Sequence, residues 1–406
     1  MKNRFFLILL ILINANTSAQ FIIKGKVLSS KKVPLEGAAV YFNNSMIGTT
    51  TNADGEFLIK TKEGQYELIA SYLGYKTVIF PLNTTEIKKS IVFILKEDEN
   101  TLDEIIIRKT KYDTKWKYNL ETFKRAFIGI TKLSKNCEIL NPKVLHFEFD
   151  PYKNILTAFA KRPLKIKHKD LGYFITYDLV SFVKTGNYVT VTGYSRYQNL
   201  KGSKRKQKGW KKNRRITYNG STVHFFKSVI NNKIEEEGFI VHQFKRIKNL
   251  ERPSEIEIKK ARKFVKLSRA TINFSKNLEN PKNAIDSALV VLRKVKLPKF
   301  KDYLYKSKLK SSELFKIDKG VVFLNFKDNL SIVYTKEKEE KAYILRNAFS
   351  KIRDALPQTS SLIPLNMPLA LDRLGVLIHP LDVLYEGYWS YEKFADSLPL
   401  DYEPGN

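Results

Sequence analysis

The stretch Gly48-Thr49-Thr50-Thr51-Asn52-Ala53-Asp54-Gly55-Glu56-Phe57 decides the fold of the N-terminal part of the chain. Its Asp-Gly pair readily supplies the positive φ angles that a tight turn between two strands needs. Short apolar or alternating segments lie on both sides and are separated by further turn residues. The pattern predicts a small antiparallel β-sandwich over residues 20–97. Its predicted strands are Phe21–Leu28, Gly37–Phe42, Glu56–Lys60, Tyr66–Tyr72, Tyr75–Phe80 and Ser90–Lys96.

Four segments of this region carry a resemblance to a known family: Gly25–Val27, Pro34–Val40, Gly48–Phe57 and Tyr72–Tyr75. In this order they resemble the carboxypeptidase regulatory-like domain. The resemblance implies a transthyretin-like, Greek-key β-sandwich. The module occurs in envelope proteins of Gram-negative bacteria, often ahead of TonB-dependent outer-membrane receptors. We therefore expect an envelope protein in which this sandwich is an interaction module.

The next segment, Leu102–Ile107, reads Leu-Asp-Glu-Ile-Ile-Ile. It resembles the connection between this module and the plug of a TonB-dependent receptor. The rest of the chain departs from that family, because it is too short for a plug and a barrel of ~22 strands of roughly ten residues each. We therefore expect a protein that docks on an outer-membrane protein and is not itself a receptor.

The sequence lacks the motifs of common catalytic and metal sites. Peptidases that carry this module bind zinc through a His-x-x-Glu pair and a distant histidine. None of the five histidines has a glutamate three positions later: His146, His168, His224, His242 and His379. Phosphate-binding, dinucleotide-binding and nucleophile-elbow motifs are also missing. We predict a structural role for Cys137, no catalytic residue, no cofactor, no metal ligand and a non-enzymatic protein.

The first nineteen residues are typical of a secretory signal peptide. Lys2 and Arg4 precede the apolar run Phe5–Ile13, and Thr17–Ala19 suits a signal peptidase site. We expect export to the periplasm, to the outer membrane or out of the cell. No later segment is predicted to cross a membrane as a helix.

Positive charge dominates the chain, with 72 Lys and Arg against 41 Asp and Glu. Residues 201–215 contain nine Lys and Arg around Trp210. Such a concentrated field attracts anions, and for an exported protein we expect lipid phosphates or acidic glycans and no nucleic acid. A solvated segment without a ligand is the alternative. The predicted anion-contacting residues are Lys204, Arg205, Lys206, Lys208, Lys211, Lys212, Arg214 and Arg215.

The remainder of the chain is predicted to be an α+β, strand-rich region, so the fold class is mainly β with some α. Helical spacing appears at Phe123–Ser134 and, after a Ser221 cap, at Val223–Ile234. A hairpin is expected from Val321–Phe326 and Leu330–Tyr334. The predicted divisions are a linker at 98–115, a basic α+β domain at 116–247, a charged irregular boundary or insertion at 248–285, and a strand-rich C-terminal region with an acidic tail at 286–406.

These observations support three functional hypotheses. The leading one is a non-enzymatic envelope protein that docks on an outer-membrane protein or an anionic component. The alternative is a glycan-binding or glycan-processing protein, in which a carboxylate pair or an aromatic ridge would hold the sugar. Tyr173, Tyr177, Tyr188, Tyr194 and Tyr197 could form such a ridge, although sheet packing explains them more simply. The third hypothesis is direct docking on lipopolysaccharide through residues 201–215.

Overall fold

The computed structural model describes residues 21–87, 89–98, 111–268, 278–318, 321–346, 352–372 and 375–405. The predicted signal peptide at residues 1–19 and the segment Leu102–Ile107 lie outside these ranges. In the described residues the fold is mainly β with some α, as the sequence predicts. None of the helices in these ranges is long and apolar enough to cross a bilayer.

Strands and helices are numbered here in chain order. The strands are β1 (Phe21–Ser29), β2 (Ala39–Phe42), β3 (Gly48–Thr50), β4 (Glu56–Thr61), β5 (Gln65–Ser71), β6 (Val78–Asn83), β7 (Ile91–Leu95), β8 (Cys137–Ile139), β9 (Leu145–Asp150), β10 (Ile155–Ala160), β11 (Leu164–His168), β12 (Tyr173–Thr185), β13 (Tyr188–Asn199), β14 (Phe239–Lys248), β15 (Phe300–Lys306), β16 (Phe315–Asp318), β17 (Val321–Leu324), β18 (Asn329–Lys338), β19 (Pro357–Pro364), β20 (Leu369–Leu371) and β21 (Val383–Gly387). The helices are α1 (Thr114–Phe127), α2 (Lys204–Tyr218), α3 (Thr222–Ile230), α4 (Glu255–Ser268), α5 (Ala284–Lys294), α6 (Ser311–Leu314), α7 (Lys341–Ile344) and α8 (Tyr388–Tyr391).

The N-terminal part is the expected sandwich. One sheet has the order β4-β1-β7 and the other β3-β2-β5-β6. The side chain of Asn52 shapes the predicted turn, because its Oδ1 accepts hydrogen bonds from the backbone N–H groups of Asp54 (3.1 Å) and Glu56 (2.7 Å). The sandwich is not wholly antiparallel, since β1 and β7 pair in parallel. Alternate side chains such as Val27, Ile59 and Phe93 fill the core between the sheets.

A six-stranded sheet follows, with the order β8-β11-β12-β10-β9 and with β13 paired to β12. Helix α1 packs on it through Phe123 and Phe127. The predicted continuation of this helix to Ser134 is wrong, because α1 ends at Phe127. Gly129 has φ +105° there, a left-handed conformation that ends helices and suits glycine. The Ser221 cap of α3 is confirmed, since the Ser221 side chain accepts a hydrogen bond from the His224 N–H.

The C-terminal part contains a five-stranded sheet of order β15-β14-β18-β19-β21 and a three-stranded sheet of order β16-β17-β20. The hairpin expected between Val321–Phe326 and Leu330–Tyr334 is wrong. Strand β17 pairs with β16 and β20, whereas β18 pairs with β14 and β19. The buried side chains of β18, including Leu330 and Ile332, join the core between these long-range partners. Tertiary burial therefore overrides the local turn signal.

The stretch 248–285, expected to be irregular, contains helix α4 and the first residues of α5. A capping box begins α4: the Glu257 carboxylate accepts from the Ser254 N–H at 2.7 Å, and the Glu257 N–H donates to Ser254 Oγ at 3.2 Å. The two helices lie between β14 and β15, which are neighbours in the five-stranded sheet. This stretch is thus an insertion of helices in a strand-to-strand connection.

Residues 394–403, termed the tail, connect the separate parts of the molecule. The Ala395 N–H donates to the Ile128 carbonyl at 3.1 Å, next to α1. The Leu400 N–H donates to the Asn44 carbonyl at 2.7 Å, and Asp401 accepts from the Met46 N–H at 2.9 Å. The tail therefore joins the six-stranded sheet and its helix α1 to the N-terminal sandwich.

Candidate functional site

The basic stretch of residues 201–215 begins before helix α2 and continues into it. The Ser203 side chain caps its N-terminus by accepting a hydrogen bond from the Lys206 N–H. Trp210 Nε1 donates to the Lys169 carbonyl at 2.8 Å, and Asn213 Nδ2 donates to the Asp170 carbonyl at 2.9 Å. These bonds fix one face of α2 against the turn between β11 and β12.

Arg214 completes this inward face. Its Nε donates to the Leu171 carbonyl at 2.7 Å, and one terminal nitrogen donates to Asn199 Oδ1 at 3.0 Å. The guanidinium carbon lies 3.9 Å from the centre of the Tyr173 ring, an arrangement that favours a cation–π interaction. Arg214 thus anchors the helix, unlike the other predicted anion-contacting residues.

Gly172 makes this close approach possible. Its φ of +71° is left-handed, and an added Cβ would lie 2.2 Å from Trp210 Cδ2. The backbone turn that presents the carbonyls of residues 169–172 therefore also makes room for the indole ring. The sequence alone did not reveal this role for Gly172.

The opposite face of α2 carries the exposed charge. At about 100° per residue, six basic side chains of this helix lie within an arc of about 120°, opposite Trp210, Asn213 and Arg214. These six are Lys204, Arg205, Lys208, Lys211, Lys212 and Arg215; Lys206 is also exposed but lies outside this arc. No carboxylate among the described residues lies within 4.0 Å of the cationic groups of these seven residues. We call the six-residue surface the basic face of α2.

A second feature is a cavity of about 250 Å³ beside the C-terminal end of α2. Glu392 and Asp396 line it, together with the rings of Trp389 and Tyr402. Burial raises the pKa of the Asp396 carboxyl to about 7. Burial, followed by the nearby charges of Asp396, Glu337 and Glu340, raises the pKa of Glu392 well above its usual range. Glycosidases also use two carboxyl groups, one of which has a raised pKa and serves as the acid.

Most of the five tyrosines considered for an exposed, sugar-binding ridge lie in a core instead. Tyr173, Tyr177 and Tyr197 are buried in the core of the six-stranded sheet. Trp389 is only 7% exposed, and its Nε1 donates to the Gly220 carbonyl at 2.7 Å. The expectation that these tyrosines pack within the sheet is thus met for three of the five.

Cys137, His168 and His224 are buried within the protein. Cys137 is buried, and burial raises the pKa of its thiol to about 12, so the nucleophilic thiolate is disfavoured. His168 Nε2 lies 2.8 Å from the Ala395 carbonyl and its Nδ1 accepts from the Leu171 N–H at 3.2 Å. His224 Nδ1 accepts from the Gly220 N–H at 3.0 Å. The two histidines thus contact the backbone of the tail and of the turns next to α2 and α3. Within the described ranges no group of three or more His, Cys, Asp or Glu residues could hold a metal ion.

The fold of the N-terminal sandwich agrees with a comparison of sequences. Residues 23–107 match the family described as "CarboxypepD_reg-like domain", so this part of the chain belongs to that family of domains. The match extends past β7 to the segment Leu102–Ile107.

Two similar proteins are TonB-dependent receptors. "TonB-dependent receptor P39" of Formosa agariphila is 30% identical over 92 residues, which are 23% of this chain and 9% of the receptor. "TonB-dependent receptor SusC" of Bacteroides thetaiotaomicron is 32% identical over 88 residues, 22% of this chain and 8% of the receptor. The chain therefore spans less than a tenth of the length of these relatives.

Proposed function

We propose that the protein is a non-enzymatic component of the cell envelope that binds an acidic surface, carried by an outer-membrane protein or another anionic component. The basic face of α2 is the observation that carries this proposal. Its six cationic side chains are exposed and lack a carboxylate partner within the described residues. Near an anionic surface each such charge contributes about 1 kcal/mol, so six together supply a substantial attraction.

The anchoring of α2 favours binding. Because Trp210, Asn213 and Arg214 already fix the helix, an acidic partner does not have to order it. Preorganisation of this kind lowers the entropic cost of association. The attraction is electrostatic, so it weakens with ionic strength over a screening length of about 8 Å at physiological salt.

The N-terminal sandwich supports an envelope role, because TonB-dependent receptors contain a similar domain. In this chain the sandwich is bonded to the sheet on which α2 lies. The Asn44 N–H donates to the Ser195 carbonyl at 2.8 Å, and the Tyr197 N–H donates to the Ser45 carbonyl at 2.9 Å. A partner bound to the sandwich would therefore meet α2 in a defined orientation.

Site-specific photocrosslinking in intact cells tests this proposal. A photoreactive residue at Arg205 or Lys212 should capture one envelope partner, whereas the same residue at the exposed position Tyr152 should not. The triple change Lys204→Glu, Lys208→Glu and Lys211→Glu should abolish capture. The matched control reverses three exposed lysines elsewhere, Lys31, Lys153 and Lys161. Capture that survives reversal on α2, or that is lost equally in the control, would exclude α2 as the docking surface.

The cavity beside α2 favours a second candidate, a glycan-processing protein. Protonated Glu392 or Asp396 would serve as the general acid, and the other carboxyl would act as base or nucleophile. Release of reducing ends from envelope polysaccharides measures this activity, and Glu392→Gln or Asp396→Asn should abolish it. Polysaccharide turnover that is the same in both variants and in the unchanged chain would exclude this candidate.

A further inference from the structure

Within the described residues 249–268 and 278–299, helices α4 and α5 form an arm between β14 and β15 of the five-stranded sheet. Polar contacts hold the base of the arm. The Asn249 N–H donates to the Lys299 carbonyl at 3.0 Å, and Lys301 pairs with Glu251 at 2.9 Å. Glu255 at the start of α4 pairs with Lys299 at 3.1 Å. The beginning of α4 is thus held in place relative to the sheet.

One face of α4 is buried against the protein, and another face is exposed to solvent. Ile258 and Ala261 are buried. Ile256, Phe264 and Leu267 are 68%, 44% and 70% exposed. At about 100° per residue these three side chains lie within an arc of about 80°, away from Ile258 and Ala261. A soluble protein normally scatters its exposed apolar residues, and several on one helix face mark an interaction surface.

Positive charge surrounds these apolar side chains. After Glu257, helix α4 has five cationic residues and no acidic one: Lys259, Lys260, Arg262, Lys263 and Lys266. Lys260 and Lys263 fall on the same face as Phe264 and Leu267. The two acidic residues of the first turn are already engaged, Glu255 with Lys299 and Glu257 with Ser254.

We propose that α4 lies in the headgroup region of a bilayer that contains anionic phospholipid. Ile256, Phe264 and Leu267 enter the boundary between headgroups and acyl chains, and the adjoining lysines contact lipid phosphates. A soluble polyanion would be attracted by the lysines but would leave the apolar side chains in water. Interleaved apolar and cationic residues on one exposed helix face are the pattern of an interfacial helix. This proposal concerns the arm and does not depend on the basic face of α2.

Vesicle flotation with the chain that follows the predicted signal peptide, residues 20–406, tests the proposal. The protein should bind phosphatidylcholine vesicles that contain phosphatidylglycerol much better than vesicles of phosphatidylcholine alone. The double change Phe264→Gln and Leu267→Gln should lower the partition coefficient at least about tenfold, because it removes the apolar insertion. Its matched control is Leu73→Gln with Tyr152→Gln, two exposed side chains elsewhere that should have no effect. Lys260→Glu with Lys263→Glu should weaken binding to a similar degree.

Several results would overturn this inference. One is the absence of vesicle binding by a protein whose circular dichroism shows that it is folded. Another is binding that responds to the lysine changes but not to the apolar ones, which would indicate a simple electrostatic contact. Equal loss of binding on reversal of Lys204, Lys208 and Lys211 would assign the membrane contact to α2. Dimers in sedimentation that disappear with Phe264→Gln and Leu267→Gln would instead show that a second copy covers this face.

Discussion

At the scale of single residues, Gly172 has the most demanding position around α2. Its left-handed φ and its contact with the Trp210 ring leave no room for a side chain. Neighbouring carbonyls accept the hydrogen bonds from Trp210, Asn213 and Arg214. A change at this one residue therefore affects both the local backbone and the seating of an entire helix.

We predict that Gly172→Ala lowers the free energy of unfolding by about 2–4 kcal/mol, because strain and displacement of Trp210 add together. The control is Gly186→Ala, whose φ of +57° is also left-handed but whose added Cβ would meet nothing within 4 Å. The control should lose only about 1 kcal/mol, the cost of the strained backbone. Urea unfolding measures both. Equal losses of unfolding free energy in the two variants would show that a clash with Trp210 does not contribute to the destabilisation.

Asp396 gives a prediction for the dependence of stability on pH. Its pKa is about 7 in the folded state and near 4 when unfolded, so the folded state binds the proton more tightly. This contribution to stability is complete below about pH 4 and is lost as the pH rises through 7. Replacement by Asn removes the loss and preserves the acceptor for the Lys393 N–H.

Denaturant unfolding of the chain with Asp396→Asn, measured between pH 4 and pH 7, checks this prediction. The variant should gain stability relative to the unchanged chain as the pH rises, by an amount on the order of 4 kcal/mol. Asp54→Asn, at an exposed turn position, is the control for removal of one surface carboxylate. A stability difference that stays constant with pH would contradict the buried, protonated state of Asp396.

At the scale of elements, the two faces of α2 have different tasks. The inward face holds the helix, and the outward face presents charge. Arg214 and Arg215 are consecutive but lie on different faces. Arg214 donates to the turn and stacks on Tyr173, whereas Arg215 is exposed. Lysine keeps the charge of arginine but cannot reproduce its planar fork of donors.

We therefore predict that Arg214→Lys lowers the free energy of unfolding by about 2 kcal/mol, whereas Arg215→Lys changes it by less than about 0.5 kcal/mol. Thermal or urea unfolding distinguishes the two. Hydrogen exchange in residues 204–218 should also rise in the first variant only. Equal stability of the variants would mean that the inward contacts do not fix α2.

Local signals explain which elements the sequence predicts. The turn at Asn52–Gly55 and the Ser221 cap rest on contacts within a few residues, and both form as expected. The capping box of Ser254 and Glu257 is also a local feature, and the prediction of an irregular stretch at 248–285 missed it. Strand partners of β17 and β18 depend on distant residues, and so does the orientation of Arg214. No short-range pattern could reveal them.

At the scale of the whole molecule, the tail forms part of the contact between the sandwich and the rest of the chain. The Leu400 N–H donates to the Asn44 carbonyl, and the Asp401 side chain accepts a hydrogen bond from the Met46 N–H. An ion pair joins Glu403 to Lys62 at 2.7 Å on the surface. Direct backbone hydrogen bonds of Asn44 with Ser195 and of Ser45 with Tyr197 form the rest of this contact.

We predict that a chain ending at Pro399 exchanges the Met46 amide hydrogen at least about tenfold faster, because this N–H loses its acceptor, the Asp401 side chain. Amides inside the sandwich core, such as that of Leu68, should keep their protection. Glu403→Gln is the control, since an exposed ion pair contributes little. Unchanged exchange at Met46 in the shortened chain would show that the tail does not secure the sandwich.

The bond between Met46 and Asp401 spans 355 positions of the chain. During synthesis the sandwich can complete its own core early, because residues before position 97 supply both of its sheets. Its bonds to Ser195 and Tyr197 can form earlier, but its bonds to the tail have to wait until the ribosome has made residue 401. Each newly made molecule therefore passes through an interval in which the sandwich is folded but lacks its bonds to the tail, and only a chain translated through residue 401 leaves that interval.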